Sequence, residues 1–190
     1  MSRKIIAAAL ALASFAAAPA FAAPAPYVSL AVGGSDADMD CTGADTCNKD
    51  ALAVKVIGGY DFGNQFAVEG MYVSLGEPDG SVDGIKVGIQ SSYWGLGGAF
   101  RPAFNQEWSG VFRLGVAFTT SKVNASFNGA SGSQSFDSTN AYVGAGVAYA
   151  LTKDIKVEAD LDTTRVSVGD GADKSDARVI DYTIGLTYSF

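Results

Sequence analysis

An all-β fold, an eight-stranded antiparallel up-and-down barrel, is what this sequence predicts, and three observations predict it. Apolar and polar residues alternate with period two along most of the chain, in segments rich in Val, Ile, Tyr, Phe, Thr and Gly. That spacing belongs to a strand with two unlike faces. Leucine is scarce, helical periodicity is weak, and beyond residue 23 nothing approaches the roughly 20 continuous apolar residues of a membrane helix. The connections between the alternating segments are short and long in turn, the arrangement of a meander closed on itself.

The first strand is expected over Tyr27 to Gly34 and the second over Ala51 to Phe62, where Leu52, Val54, Val56 and Tyr60 oppose Ala51, Ala53, Lys55 and Asp61. The third runs from Phe66 to Leu75 and the long fourth from Ile85 to Arg101. Simple parity turns Trp94 and Leu96 of the fourth inward, at odds with a polar interior; a β-bulge would re-aim them. The fifth spans Trp108 to Ser121, with Phe112, Leu114, Val116 and Phe118 on one face and Val111, Arg113, Gly115, Ala117 and Thr119 on the other. The sixth covers Thr139 to Leu151, and the seventh Ile155 to Val166, with Lys156, Glu158, Asp160 and Asp162 opposite Val157, Ala159 and Leu161. The eighth, Arg178 to Phe190, sets Ile180, Tyr182, Ile184, Leu186, Tyr188 and Phe190 against Asp181, Thr183, Gly185, Thr187 and Ser189. Many of the 23 glycines lie inside these segments, where a missing side chain relieves crowding and lets strands bend.

Residues 1–22 read as a signal peptide and residues 23–190 as one barrel domain. Arg3 and Lys4 precede an uncharged Ala-rich run, Ile5 to Ala18, and Ala20-Phe21-Ala22 supplies small residues for cleavage after Ala22, leaving Ala23 first. Cleavage removes two positive charges and no acid, so the net charge moves from −7 to −9. So acidic a chain, without a basic stripe, is no nucleic-acid ligand. Cys41 and Cys47 are the two cysteines, and outside the cytoplasm they are expected to pair as a disulfide. The chain holds no histidine, which excludes Ser-His-Asp and Cys-His catalysis and histidine-held zinc or haem. No cofactor is expected.

Period-two alternation suits both a soluble barrel and a membrane one; the difference lies in which face is buried. Three features favour the transmembrane form. Short connections (Asp61 to Gln65, Pro102 to Gln106, Thr152 to Asp154) alternate with long ones rich in Gly, Ser and Asp (Ser35 to Asp50, Gly76 to Gly84, Lys122 to Ser138, Ser167 to Ala177), matching short periplasmic turns and long outer loops. Aromatic residues cluster near strand ends: Tyr27, Tyr60, Phe62, Phe66, Tyr72, Phe104, Trp108, Tyr188 and Phe190, where interfacial girdles form. The precursor is also marked for export. Backbone polar groups in lipid must all be paired, so the sheet must close. The expected place is therefore the bacterial outer membrane, with its lipid as the first partner. Apolar faces should meet lipid, and Lys55, Glu69, Lys86, Arg113, Lys156, Glu158 and Asp160 should fill the lumen as a salt-bridged plug.

The chain ends in Thr183-x-Gly185-x-x-Tyr188-x-Phe190, which resembles the terminal signature by which outer-membrane barrels are recognised for assembly. That resemblance implies the barrel assembly machinery and periplasmic chaperones as partners. Glu69 to Gly76, Phe112-Arg113-Leu114-Gly115 and Tyr142 to Ile155 resemble strands of the transmembrane domain of the outer membrane protein A family. In that family a few lumenal charges form a cross-barrel ion-pair switch. Glu69 matches one of them; the others would fall at Gly98, Ala148 and Glu158, of which two are uncharged here and the third has the opposite sign. The switch should not be carried over. The peptidoglycan-binding domain of the family's large members is likewise not expected.

No constellation points to catalysis. Glu158 and Asp160 share a strand face with no pocket implied nearby. An EF-hand loop starting at Asp36 would need Gly and Glu where Cys41 and Cys47 stand, so Asp36, Asp38, Asp40, Asp45 and Asp50 read as a solvated loop and no metal site is expected. Gly144-Ala145-Gly146 is too short for a dinucleotide fingerprint and should leave lumenal space. The expected function is a non-enzymatic envelope protein whose loops meet an extracellular ligand or host surface. A narrow pore and a soluble periplasmic lipocalin-like binder are the alternatives.

Overall fold

The computed structural model describes residues 24–38, 46–82, 85–127, 130–168 and 175–190. Among them are ten strands: β1 (Ala25–Ala37), β2 (Thr46–Asn48), β3 (Asp50–Asp61), β4 (Phe66–Ser74), β5 (Asp79–Val82), β6 (Ile85–Phe100), β7 (Trp108–Phe127), β8 (Ala130–Ala150), β9 (Ile155–Val168) and β10 (Ser175–Ser189). All pairings are antiparallel. Eight of the strands form the barrel wall in chain order, first and last meeting as β1 and β10, and the β6–β7 pairing completes the ring. The short β2 and β5, which the sequence did not announce, add to the outer part of β6 at the long-loop end.

Each short turn is closed by a side chain that occupies backbone donors, the local chemistry that favours Asp, Asn and Thr in turns. Asp61 Oδ1 accepts from Gly63 N at 2.7 Å. Asn105 Oδ1 accepts from Glu107 N at 2.8 Å and Trp108 N at 2.7 Å. Thr152 Oγ1 accepts from Asp154 N at 3.2 Å and Ile155 N at 3.0 Å.

At the opposite end the strands run further than expected. Lys122 to Ser138 is not a loop: β7 and β8 stay paired out to Phe127–Ala130. The polar Ser, Asn and Gly composition there disguises a strand that has no core beneath it to demand alternation.

The wall is greasy outside and charged inside. Phe112, Leu114, Ile184 and Leu186 are 50%, 65%, 58% and 55% exposed, whereas Arg113 is 3% and Glu158 1%. A soluble binder with an apolar interior would have the reverse polarity, so that alternative is overturned. Aromatic side chains pack in tilted and edge-on pairs along the outer wall near the short turns: Phe66 against Phe100 at 5.1 Å, Trp108 against Tyr149 at 4.9 Å, and Tyr60 against Phe62 at 5.5 Å.

Three placements correct the sequence reading. Trp94 and Leu96 face outward, at 65% and 61% exposure. No bulge is needed, because β6 pairs residue for residue with β7 from Lys86–Ser126 to Phe100–Phe112; the inward face of β6 is its odd-numbered one. The irregularity lies on the neighbouring strand, where five steps from Ser74 to Asp79 match four from Ser92 to Gly88. Gly76, with φ +73°, takes up the extra residue. Tyr27 is buried in the lumen and belongs to no girdle, since Val28, Leu30 and Val32 hold the outward face of β1. Gly98, matched above to a lumenal switch position, lies on the outward face.

Candidate functional site

The feature with chemical content is the ion-pair network across the lumen. Strand alternation alone delivers its members: Lys55 from β3, Glu69 from β4, Arg113 from β7, and Glu158, Asp160 and Asp162 from successive inward positions of β9. All are almost wholly removed from solvent.

Arg113 is the hub. Its Nε donates to Glu69 Oε2 at 2.7 Å, its Nη1 to Asp160 Oδ1 at 2.8 Å, and its Nη2 to Glu158 Oε1. Arg101, just past the end of β6, repeats the bridge from below: Nη1 reaches Glu69 Oε1 at 3.2 Å and Nη2 reaches Glu158 Oε2 at 2.5 Å. Two guanidinium groups thus hold the same two glutamates, the fork geometry for which arginine is suited. The Tyr27 hydroxyl donates to Glu69 Oε1, and the Arg101 guanidinium lies 4.9 Å from the centre of the Tyr27 ring. Lys55 Nζ closes the upper side, 3.0 Å from Asp160 Oδ2 and 2.5 Å from Asp162 Oδ2.

Glycines make the space. A Cβ on Gly144 would lie 1.8 Å from Asp162 Oδ1, and one on Gly146 would lie 2.2 Å from Asp160 Oδ1. Gly144-Ala145-Gly146 is therefore the floor on which the two aspartates rest. Higher in the lumen a more apolar layer follows, with Met71, Val73, Leu75, Tyr93 and Tyr142 in one buried cluster.

Of the expected lumenal charges, Lys55, Glu69, Arg113, Glu158 and Asp160 meet in this network. Lys156 is half-buried on the same face of β9 and makes no ion pair among the described residues. The Lys86 side chain lies outside the described residues, as do Cys41, the Cys47 side chain, and Ala22 and Ala23 with the rest of the leader. Thr183, Gly185, Tyr188 and Phe190 sit on β10 and just beyond it, Phe190 N donating to Pro26 O at 3.0 Å. Three lumenal charges were missed: Arg101, Asp162 and Asp181. Arg101 shares parity with Tyr93, Gly97 and Ala99, so reading Trp94 and Leu96 as inward also hid Arg101. Asp162 and Asp181 stood on the correct faces but were not counted.

No group of three or more His, Cys, Asp or Glu side chains among the described residues converges as a metal centre would.

The family model described as outer membrane protein β-barrel domain matches residues 6–190. Among curated proteins, none matches the chain. Among solved structures, the attachment invasion locus protein of Yersinia pestis, crystallised with the heparin analogue sucrose octasulfate, is 20% identical with a TM-score of 0.59, covering 89% of this chain and 100% of that one. Neisserial surface protein A is 14% identical with a TM-score of 0.62, covering 87% and 97%. Outer membrane protein OprG from Pseudomonas aeruginosa is 17% identical with a TM-score of 0.54, covering 89% and 96%. These likenesses concern the fold.

Proposed function

Because this chain belongs to the outer membrane protein β-barrel domain family and resides in the bacterial outer membrane, we propose that it acts as a closed, non-enzymatic barrel that supports the envelope and presents its outer strands to an extracellular ligand or host surface. The observation that carries the reading is the lumen itself. Seven ion pairs cross it, and every side chain in them is at least nine-tenths buried. An eight-stranded interior is only about wide enough for side chains to fill, and a filled one leaves no aqueous path. Specificity then resides outside, where β7 and β8 run 20 and 21 residues and continue beyond the apolar band.

The remaining assignments follow from the same reading. The leader of residues 1–22 directs export, Cys41 and Cys47 cross-link the first outer loop, and the Thr183 to Phe190 ending hands the chain from periplasmic chaperones to the assembly machinery. Planar-bilayer recording of the refolded protein tests the central claim. Silence or brief flickers are expected; a large steady open state would establish the narrow-pore alternative instead.

A further inference from the structure

The barrel interior buries the carboxylates of Glu69, Glu158, Asp160, Asp162 and Asp181 against the cations Lys55, Arg101 and Arg113. Among the described residues these fully buried charges do not balance: two negative charges are left over, and the half-buried Lys156 stands at the short-turn end of β9. Asp181 enters none of the seven ion pairs. It is 1% exposed and stands directly opposite Asp162, also 1% exposed, in the β9–β10 register. Like charges facing each other across a ladder repel, and a buried charge without a partner is costly.

Six buried side-chain atoms among the described residues lack a hydrogen-bond partner, and all six are oxygens: Asp162 Oδ1, Asp181 Oδ2, Thr183 Oγ1, Thr119 Oγ1, and the Tyr93 and Tyr142 hydroxyls. Asp162 and Asp181 are partners across the β9–β10 ladder, and the Tyr93 and Tyr142 rings lie 6.4 Å apart. Tyr93 lies within electrostatic reach of Asp181 and Asp162. Tyr93 pairs in register with Thr119, and Thr183 is the next inward residue after Asp181. Lys55, Asp160 and Arg113 are also within electrostatic reach of Asp181. Lys55 is already engaged by Asp160 and by the far oxygen of Asp162.

We propose that this part of the lumen binds one hard, oxygen-preferring cation, carried by Asp181 and Asp162 and completed by the neighbouring hydroxyls and water. A divalent ion of calcium's size matches both the surplus charge and the irregular all-oxygen surroundings. With two carboxylates rather than three or more, affinity on the order of millimolar is expected. The site shares Asp162 with the ion-pair plug, through the oxygen that Lys55 does not hold, and leaves the arginine-glutamate pairs untouched.

The test uses the refolded barrel, stripped with chelator and held at neutral pH in choline chloride, an organic cation too large for the site. Calcium, magnesium or sodium chloride replaces choline at constant ionic strength. Thermal unfolding and equilibrium dialysis with radioactive calcium are the readouts. A saturable rise in the unfolding midpoint with one calcium ion per chain is expected. Asp181→Asn should abolish the saturable rise and, in choline alone, melt at or above the parent. Asp36→Asn, which alters an exposed carboxylate beside the first outer loop, should keep the response and so separates a lumenal ion from a loop-bound one. Should Asp181→Asn fail to fold, Tyr93→Phe serves, with several-fold weaker binding expected. The proposal is overturned by no saturable response to any of the three ions, by a response that survives Asp181→Asn, by unchanged affinity in Tyr93→Phe, or by stabilisation that acid alone produces in choline, the mark of a shared proton.

Discussion

Arg113 shows how much one side chain can organise when its charge cannot reach water. It contacts three carboxylates, and each would be left short of a cation without it. Removing one partner from a buried network costs about 3–5 kcal/mol, while replacing the whole set by apolar or neutral groups of similar size costs little. Arg113→Met is therefore expected to lower the unfolding free energy by about 3–5 kcal/mol in urea titrations of the refolded barrel. Adding Glu69→Gln, which leaves Arg101 its pair with Glu158 and Asp160 its pair with Lys55, should restore part of it. A double variant no more stable than Arg113→Met alone would mean that the arginine acts by packing rather than charge.

At the scale of the element, each hairpin depends on how its backbone donors are met at the turn. Asn105 is exposed, yet its one oxygen holds the amides of both Glu107 and Trp108 at the entry to β7. Asn105→Ala should cost about 1 kcal/mol, the usual worth of such a cap, without changing the fold. A shift of the urea midpoint at constant slope would register it. The strands show the complementary lesson. Within the membrane band β6 alternates strictly, Trp94, Leu96 and Phe100 outside and Tyr93, Gly95 and Ala99 inside. In its outer part, beside β5, the apolar Ile85, Val87 and Ile89 are odd-numbered and alternate with Lys86, Gly88 and Gln90, the opposite of the parity of the greasy face further down. A parity taken over the whole strand therefore slipped by one residue, and a slip of one reverses every side chain.

For the whole molecule, the inverted polarity is itself the stabilising principle. Hydrocarbon accepts the outward Leu, Val, Ile and Phe, and closure satisfies the backbone that lipid cannot. Leu114 is among the most exposed of these, flanked in register by Gly98 and Val143. Leu114→Arg should therefore cost about 2–4 kcal/mol when unfolding is measured from a bilayer. The same change at the outward-facing Ser133 of the projecting hairpin, beyond the apolar band, should be close to neutral. If the two positions responded alike, the hydrocarbon would not lie where the apolar wall places it.

The sequence by itself determined the fold class, the eight wall strands, the three short turns, and which face of most strands is greasy. Those properties are local: a period of two, a turn residue or a run of small residues is legible within ten positions. Only the tertiary structure decided which charges meet. Arg113 and Glu69 are 44 residues apart and Lys55 and Asp162 are 107 apart. Their heights along the lumen depend on how tilt and register accumulate around a closed ring. The same closure revealed Arg101 as a second clamp and left Asp181 without a counter-charge, because a balance of charges across a lumen exists only once the far wall is in place.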